Sequence, residues 1–150
     1  MKFPKPGKKK KKKGLSDRWL LALWRKALLI KWKGCFFCRN KNEKELECHH
    51  SVAKRKHKLT RYLIENGVPV CKVNWGKPMS CHQYADTREG EVKIKEAIGE
   101  EAWSRVDRLA HMNIKDYCLE NDITEKEYLL TCKQKLEAVI REEKLAKRFN

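Results

Sequence analysis

The sequence predicts an α+β fold that is mostly helical, with one small core between flanking N- and C-terminal helices. Apolar residues recur at helical spacing before residue 34 and again after residue 90. Between these stretches, residues 46–52 and 68–70 predict two short strands that pair as a hairpin. Cysteines and histidines are concentrated around this hairpin, which favours a core stapled by metal.

Four segments follow from these patterns. They are a disordered basic arm (1–14), an N-terminal helix (15–33), the metal-binding core (34–90) and a C-terminal helical region (91–150). The charge is uneven along them. Residues 1–33 carry 13 basic and 1 acidic residue (+12), residues 34–90 carry 11 and 6 (+5), and residues 91–150 carry 12 and 13 (−1). This gradient, within a net charge of +16, predicts a polyanionic partner such as DNA; the alternative is that the lysines only aid solubility.

The arm contains six consecutive lysines at positions 8–13, whose mutual repulsion predicts disorder. On DNA such an arm adds affinity that does not depend on sequence, and in a eukaryote it would equally serve as a nuclear import signal. The helix that follows is predicted to begin at Ser16 or Asp17 and to end at Gly34. We expect its wide apolar face to pack on the metal-binding core or on a second copy in a homodimer; a membrane-surface role is an alternative.

Pro69 limits the second predicted strand to a sheet edge. The connection between the strands is strongly basic, and we expect it to follow a phosphate backbone, although a solvated surface loop is the alternative. Its candidate DNA-binding residues are Lys54, Arg55, Lys56, Lys58 and Arg61. After Gly90 the pattern predicts helix interrupted near Gly99, a turn at 121–123, and a final helix that begins with a Thr124–Glu127 capping box.

No signal peptide or transmembrane span is predicted. The apolar run 19–24 is interrupted by Arg25 and Lys26, whereas a span needs roughly 20 apolar residues. We therefore expect no membrane contact and a cytoplasmic location, in the host cell if the chain is phage-encoded. Seven cysteines in a reducing compartment favour metal binding over disulfides.

Cys35, Cys38, Cys71 and Cys81 could supply four thiolates to a structural Zn²⁺. Nine residues separate the second pair, where a zinc ribbon has two to four, so Cys48 is an alternative ligand. A further alternative is that these thiols are scattered through the core. Cys118 and Cys132 are predicted to be buried on helices.

His49 and His50 are adjacent on a predicted strand, so they should point to opposite faces and have different roles. Phosphodiester hydrolysis needs a metal ion and a base that activates water. One imidazole could bind the ion and the other could accept the proton. The order of the two residues does not assign these roles.

The succession Cys-x2-Cys, Glu-Cys-His-His, Asn-x4-Cys and Cys-His, within residues 35–82, resembles the HNH (ββα-metal) endonuclease family. Within it the chain is most similar to the phage NinG/Rap recombination endonucleases, through Arg61-Tyr62, the Asn66-to-Cys71 spacing and residues 98–102. The resemblance covers about residues 34–148. It implies a zinc-stapled ββα-metal core and metal-dependent cleavage of DNA, with branched recombination or replication intermediates as candidate substrates.

The resemblance implies that His49 and His82 bind the catalytic ion, which would be Mg²⁺ or another divalent ion. It implies that His50 is the general base and that Asn66 braces the hairpin loop and orients His50. Asp86, one helical turn after His82, could assist or replace it. His57 and His111 have no motif support and are expected to be structural. Few residues suit the reading of base edges, so low sequence specificity is expected.

Two other functions remain open from the sequence. The first is a zinc-binding module that holds DNA or RNA without cleaving it. The second is a helical assembly protein that dimerises through residues 16–32 and 124–148.

Overall fold

The computed structural model describes residues 15–52 and 57–147, which form an α+β, mostly helical structure. The predicted fold class is therefore confirmed at this level, while the basic arm and Lys54, Arg55 and Lys56 lie outside the described residues. In chain order the elements are α1 (Asp17–Trp32), β1 (Leu46–His50), a 3-10 turn (Ile64–Asn66), β2 (Gly67–Cys71), α2 (Cys81–Ala85), α3 (Arg88–Ile98), α4 (Glu100–Ala110), α5 (Ile114–Glu120) and α6 (Glu125–Ala146).

Strands β1 and β2 pair in antiparallel register from Leu46 opposite Cys71 to His50 opposite Gly67. The first strand ends two residues earlier than predicted. The Asn66 side chain explains this difference, because its Oδ1 accepts the Val52 N–H at 2.7 Å and its Nδ2 donates to the Val52 carbonyl at 3.1 Å. Both backbone groups of Val52 are thus bonded to a side chain instead of a strand.

Helix α1 begins as predicted, since the Ser16 side chain accepts the Trp19 N–H at 3.2 Å and caps the helix. It ends one residue earlier than predicted. Lys33, not Gly34, takes the left-handed capping position, with φ of 56°, and its N–H donates to the Leu29 carbonyl. The buried face of the helix consists of Leu20, Trp24, Ala27 and Leu28.

Helix α1 packs on both β2 and α6, so the amino-terminal helix, the hairpin and the carboxy-terminal helix are in contact. The buried residues of α6 are Tyr128, Cys132, Leu136 and Ile140, and they share one apolar cluster with α1. The two segments considered for self-association therefore pack against each other within one chain; the homodimer stays a prediction. Cys118 and Cys132 are buried on α5 and α6, as predicted.

The helices after the hairpin follow local signals in the sequence. Gly99, with φ of 94°, separates α3 from α4, and the predicted Thr124–Glu127 capping box begins α6. Helix α3 begins at Arg88 and includes Gly90, although it was predicted to start after Gly90, because the Thr87 side chain accepts the Gly90 N–H and caps the helix earlier. Among the described residues, none of the helices has the length and apolar character that crossing a bilayer requires.

Candidate metal centre

Four cysteine thiols converge at the open end of the hairpin, where β1 begins and β2 ends. The sulfur atoms of Cys35, Cys38, Cys71 and Cys81 all lie within 4.8 Å of one another, and the Cys38 and Cys71 sulfurs are 3.4 Å apart. A tetrahedral zinc site with Zn–S of ~2.3 Å places its sulfurs ~3.8 Å apart. The spacing therefore fits, and the cluster could hold a metal such as zinc.

The first two thiols are presented by a tight turn. The Cys35 N–H donates to the Asn40 carbonyl at 2.7 Å and the Arg39 N–H donates to the Cys35 carbonyl at 3.0 Å, with Arg39 in the left-handed region. The Asn40 side-chain amide also reaches the Cys71 sulfur at 3.4 Å. Donors of this kind stabilise a thiolate over a thiol. The turn thus supplies two sulfurs and part of their electrostatic support.

Burial raises the pKa of the Cys71 thiol and that of the Cys81 thiol to about 12, and neighbouring thiols add to the rise. Burial also acts on Cys38, but hydrogen bonds from the Asn40 backbone and from nearby thiols outweigh it, and the pKa of Cys38 is lowered. Four thiolates so close together are unfavourable unless a cation balances their charge. A bound dication provides that balance and deprotonates its thiol ligands.

The long interval before Cys81 is compatible with this cluster because residues 72–80 leave the hairpin and return to it. Helix α2 begins at Cys81, and Ser80 caps it through a capping box with Gln83. Cys48 lies outside the cluster: it packs against the apolar core of α1, and burial raises its pKa to about 11. The alternative in which Cys48 replaces one of the four thiols does not fit this geometry.

A second group of potential ligands comes from β1 and α2. The ligand atoms of His49, His82 and Asp86 are all within 4.8 Å of one another. His49 Nδ1 lies 3.7 Å from Asp86 Oδ1, and the two imidazole centroids are 5.4 Å apart. His49 comes from β1, while His82 and Asp86 lie four residues apart at the two ends of α2. Two imidazoles and a carboxylate could bind one divalent ion.

Glu47 is a member of this region to which the sequence analysis gave no role. Its Oε1 lies 2.5 Å from His82 Nδ1, so the carboxylate engages this nitrogen and leaves Nε2 as the one that could bind a metal. Glu47 lies two residues before His49 on β1, so the two side chains point to the same face of the strand. This spacing in the sequence could have identified Glu47 as a neighbour of the ligand group. Burial lowers the pKa of His49, and the nearby Asp86 carboxylate opposes this effect only in part. The lowered pKa favours the neutral imidazole, which is the form that binds a metal.

His50 points to the opposite face of β1, as alternation predicts. Its Nε2 lies 3.0 Å from the Arg61 carbonyl, and its ring stacks on Trp24 with centroids 3.9 Å apart and planes inclined by 17°. A carbonyl can only accept a hydrogen bond, so Nε2 carries a proton. In the neutral ring Nδ1 is then the basic nitrogen.

Asn66 is fully buried and bonds three backbone groups. Besides both groups of Val52, its Nδ2 donates to the Thr60 carbonyl at 3.0 Å. It therefore braces the two ends of the connection between the strands, including the segment that leads to the Arg61 carbonyl. Because these bonds engage the backbone of that connection, any orienting effect of Asn66 on His50 would act through it.

The two described candidate DNA-binding residues have partners within the chain. Lys58 Nζ lies 3.4 Å from a Glu125 carboxylate oxygen, and Arg61 donates to Asp17 at 2.9 Å. The Lys58 side chain is 60% exposed and the Arg61 side chain 20%. Lys58 is the more accessible of the two cations, and phosphate contact by either stays a prediction.

The remaining histidines lie apart from both groups. His57 is half-buried and its backbone carbonyl accepts from Thr60, while His111 Nδ1 lies 2.8 Å from the Asp107 carbonyl.

In comparisons with known proteins, the chain matches no family model, no curated protein and no solved structure.

Proposed function

We propose that this chain is a metal-dependent endonuclease that hydrolyses DNA phosphodiester bonds with low sequence specificity. The observation that supports the proposal best is the placement of the neighbouring residues His49 and His50 on opposite faces of β1. His49 lies with His82 and Asp86 on one face, and His50 is hydrogen-bonded through Nε2 on the other. Metal-assisted hydrolysis needs a metal ligand and a base on different side chains, and His49 and His50 are neighbours at the end of β1.

In this proposal the thiol cluster holds a structural zinc. The sheet formed by the described residues has two strands, and a hairpin of that size is marginally stable in water without further support. A zinc ion bound to Cys35, Cys38, Cys71 and Cys81 would tie the first turn and helix α2 to the end of β2. The same zinc would fix His82, because His82 directly follows Cys81.

The second ion would be held by His49, His82 and Asp86 and would supply a Lewis acid at the scissile phosphate. Imidazole nitrogens suit Ni²⁺ or Zn²⁺ better than Mg²⁺, which prefers carboxylates and water. We therefore expect a divalent transition metal to bind this group more tightly than Mg²⁺. The Asp86 side chain is 66% exposed, so the group faces solvent on one side, where a DNA backbone could approach.

His50 would act as the base that accepts a proton from the attacking water. The Arg61 carbonyl and the Trp24 ring hold its plane, so little reorganisation is needed at the moment of reaction. Affinity for DNA would come from the excess of positive charge in residues 1–33 and from the basic connection between the strands. A preference for branched DNA rests on the family resemblance alone.

The test is a cleavage assay on linear duplex and four-way junction DNA with Mn²⁺ or Mg²⁺, using wild type, His49→Ala and His111→Ala. Loss of a metal ligand should abolish Mn²⁺ binding and cleavage together, whereas the exposed His111, which lies outside both groups, should be dispensable. Wild-type protein that binds DNA and Mn²⁺ without cutting any substrate would contradict the nuclease proposal. It would instead support a zinc-binding module that holds nucleic acid, the second candidate favoured by the thiol cluster.

A further inference from the structure

The segment between Cys71 and Cys81 presents an unusual apolar surface. Residues 72–79 are all exposed, and three of them are large and apolar: Val73 is 40% exposed, Trp75 59% and Met79 41%. We call residues 72–80 the Cys71–Cys81 loop. Its apolar side chains sit on a protein whose mean hydropathy is −0.80 and whose net charge is +16, so their exposure calls for an explanation.

Both ends of the loop are anchored. The Lys72 N–H donates to the Glu45 carbonyl at 3.0 Å, Cys71 and Cys81 lie in the thiol cluster, and the Ser80 capping box fixes the start of α2. A zinc ion bound to the thiols would lock the two ends together. The loop therefore projects from a fixed base.

The tip is a tight turn with an unexpected residue in it. The Lys77 N–H donates to the Asn74 carbonyl at 2.9 Å, and the central residues Trp75 and Gly76 have φ of 50° and 72°. Positive φ at both central positions defines a type I′ turn, which favours Asn, Asp or Gly. A bulky tryptophan is disfavoured in this conformation. Local stability therefore does not account for the indole at the tip.

The charge of the loop points to a polyanion. It contains Lys72 and Lys77 and no acidic residue. It also leads directly into the second ligand group, since Met79 is three residues before His82 and their Cα atoms are within ~11 Å of each other. The loop thus combines apolar side chains, which can stack on bases, with lysines, which can bind phosphates. It lies next to the ligand group for which we propose phosphodiester hydrolysis.

We propose that the Cys71–Cys81 loop is a base-stacking wedge for DNA that contains unpaired bases. Trp75 stacks on an unpaired base beside a duplex, Val73 and Met79 contact its neighbours, and Lys72 and Lys77 bind flanking phosphates. The proposal rests on the proposed action on DNA and deepens it. It gives the protein a means of selecting branched or gapped DNA without reading a base sequence.

The test compares wild type with Trp75→Asn in the full chain. Asn tolerates the left-handed position, so the turn is kept while the indole is removed. Binding is measured to a gapped duplex and to a fully paired duplex of equal length, without added Mg²⁺ or Mn²⁺. Leu119→Asn is the matched control, because Leu119 is 83% exposed on α5, outside the loop.

We expect Trp75→Asn to weaken binding to the gapped duplex by roughly 5- to 100-fold, the equivalent of one lost base stack, and to leave binding to the paired duplex unchanged. A 2-aminopurine base placed in the gap should be quenched by wild type and by Leu119→Asn but not by Trp75→Asn. Zinc content should be the same in all three proteins, and Trp75→Asn should be at least as stable to unfolding as wild type, because Asn suits the left-handed position.

Equal binding of gapped and paired DNA by wild type, or no effect of Trp75→Asn, would overturn the wedge. Self-association that Trp75→Asn abolishes, without any preference for gapped DNA, would also overturn it and assign the loop to a protein contact. Because binding is measured without a cleavage-supporting ion, the wedge can hold even if no cleavage is found. Cleavage that is independent of Trp75 would leave the nuclease proposal intact and remove the wedge.

Discussion

The indole of Trp24 lies almost flat on the imidazole of His50, with ring centroids 3.9 Å apart and planes inclined by 17°. The indole is itself fixed, because its Nε1 donates to the Leu63 carbonyl at 2.8 Å. Gly67, opposite His50 in the register, makes room for it: a Cβ at Gly67 would lie 2.4 Å from Trp24 Cζ2. Trp24 of α1 thus fixes the ring of His50, the proposed catalytic base, and it can approach this closely because residue 67 has no side chain.

Gly67→Ala should therefore push Trp24 off His50. Overpacking of this kind costs about 1–3 kcal/mol in the free energy of unfolding. We also expect slower cleavage and a smaller loss of Mn²⁺ affinity, because the same Cβ would lie 2.8 Å from the backbone oxygen of the proposed metal ligand His49, whose side chain points to the opposite face of β1. Chemical denaturation and cleavage kinetics would check both effects. A control is Trp103→Phe in α4, which alters another buried tryptophan and should reduce stability without a specific effect on cleavage; equal kinetic losses in the two variants would contradict the positioning role.

The thiol cluster predicts which cysteines matter for zinc. Cys81→Ser should lose tightly bound zinc and destabilise the hairpin, because a structural zinc contributes on the order of 10 kcal/mol to the folding of small modules. Cys48→Ala should keep its zinc, since Cys48 packs against the core of α1 outside the cluster. Elemental analysis after extensive dialysis measures both. Zinc retained by Cys81→Ser and lost by Cys48→Ala would reverse the ligand assignment.

Glu47 is predicted to support His82 as a metal ligand. Replacing it with Gln removes the charge that stabilises a proton on Nδ1, and losses of this kind typically weaken metal affinity by ~10–100-fold. Calorimetric titration with Mn²⁺ tests this expectation. Glu45→Gln is the matched control. Glu45 directly precedes β1, and its carboxylate accepts a hydrogen bond from Asn40 Nδ2 at 2.7 Å. If Glu47→Gln binds Mn²⁺ as wild type does, the Glu47–His82 pair has no role in metal binding.

Tyr62 should make stability sensitive to alkaline pH. Burial, together with the hydrogen bond from its hydroxyl to Asp17, raises the pKa of Tyr62 to about 12 from 10.0. The unfolded chain then loses this proton first, so the contribution to stability is fully present below pH 10 and is lost as pH rises towards 12. Tyr62→Phe should lower the free energy of unfolding at neutral pH by about 1.5–3 kcal/mol.

The pH series of denaturation curves that measures this effect should also be less steep for Tyr62→Phe above pH 10 than for wild type. Tyr117→Phe, whose ring packs edge-on against Tyr128 at 5.5 Å, serves as the comparison. Identical alkaline slopes for wild type and Tyr62→Phe would show that Tyr62 is not the group responsible.

Local chemistry made much of the fold predictable from the sequence. The Ser16 cap, the Thr124–Glu127 capping box and the break at Gly99 depend on residues within four positions, and all three are observed. The end of β1 was predicted wrongly because Asn66, fourteen residues away from Val52, takes its backbone groups. A competition between a strand partner and a distant side chain has no signature at either position alone.

The candidate site was likewise predictable from the sequence only in part. The four cysteines were recognisable by residue type and spacing, whereas the pair His49 and His82 was expected only from the resemblance to an endonuclease family. The structure brings each set together; zinc and catalysis stay predictions. Trp24 and Glu47 were missed as supporting residues. Trp24 lies on α1, outside residues 34–90, where the sequence predicted the metal-binding core. Its relation to His50 depends on how α1 packs over β2, which periodicity does not specify.

Whether His50 is the base of a nuclease is decided by the cleavage rate of His50→Ala beside wild type, with DNA binding and Mn²⁺ binding measured on the same preparations. We predict cleavage by wild type and a rate lower by roughly 10²–10⁴ in the variant, the usual cost of losing a general base, with both affinities unchanged. Cleavage by His50→Ala at the wild-type rate would contradict the assignment of the base. Absence of cleavage by both proteins, with DNA and Mn²⁺ bound, would contradict the enzyme.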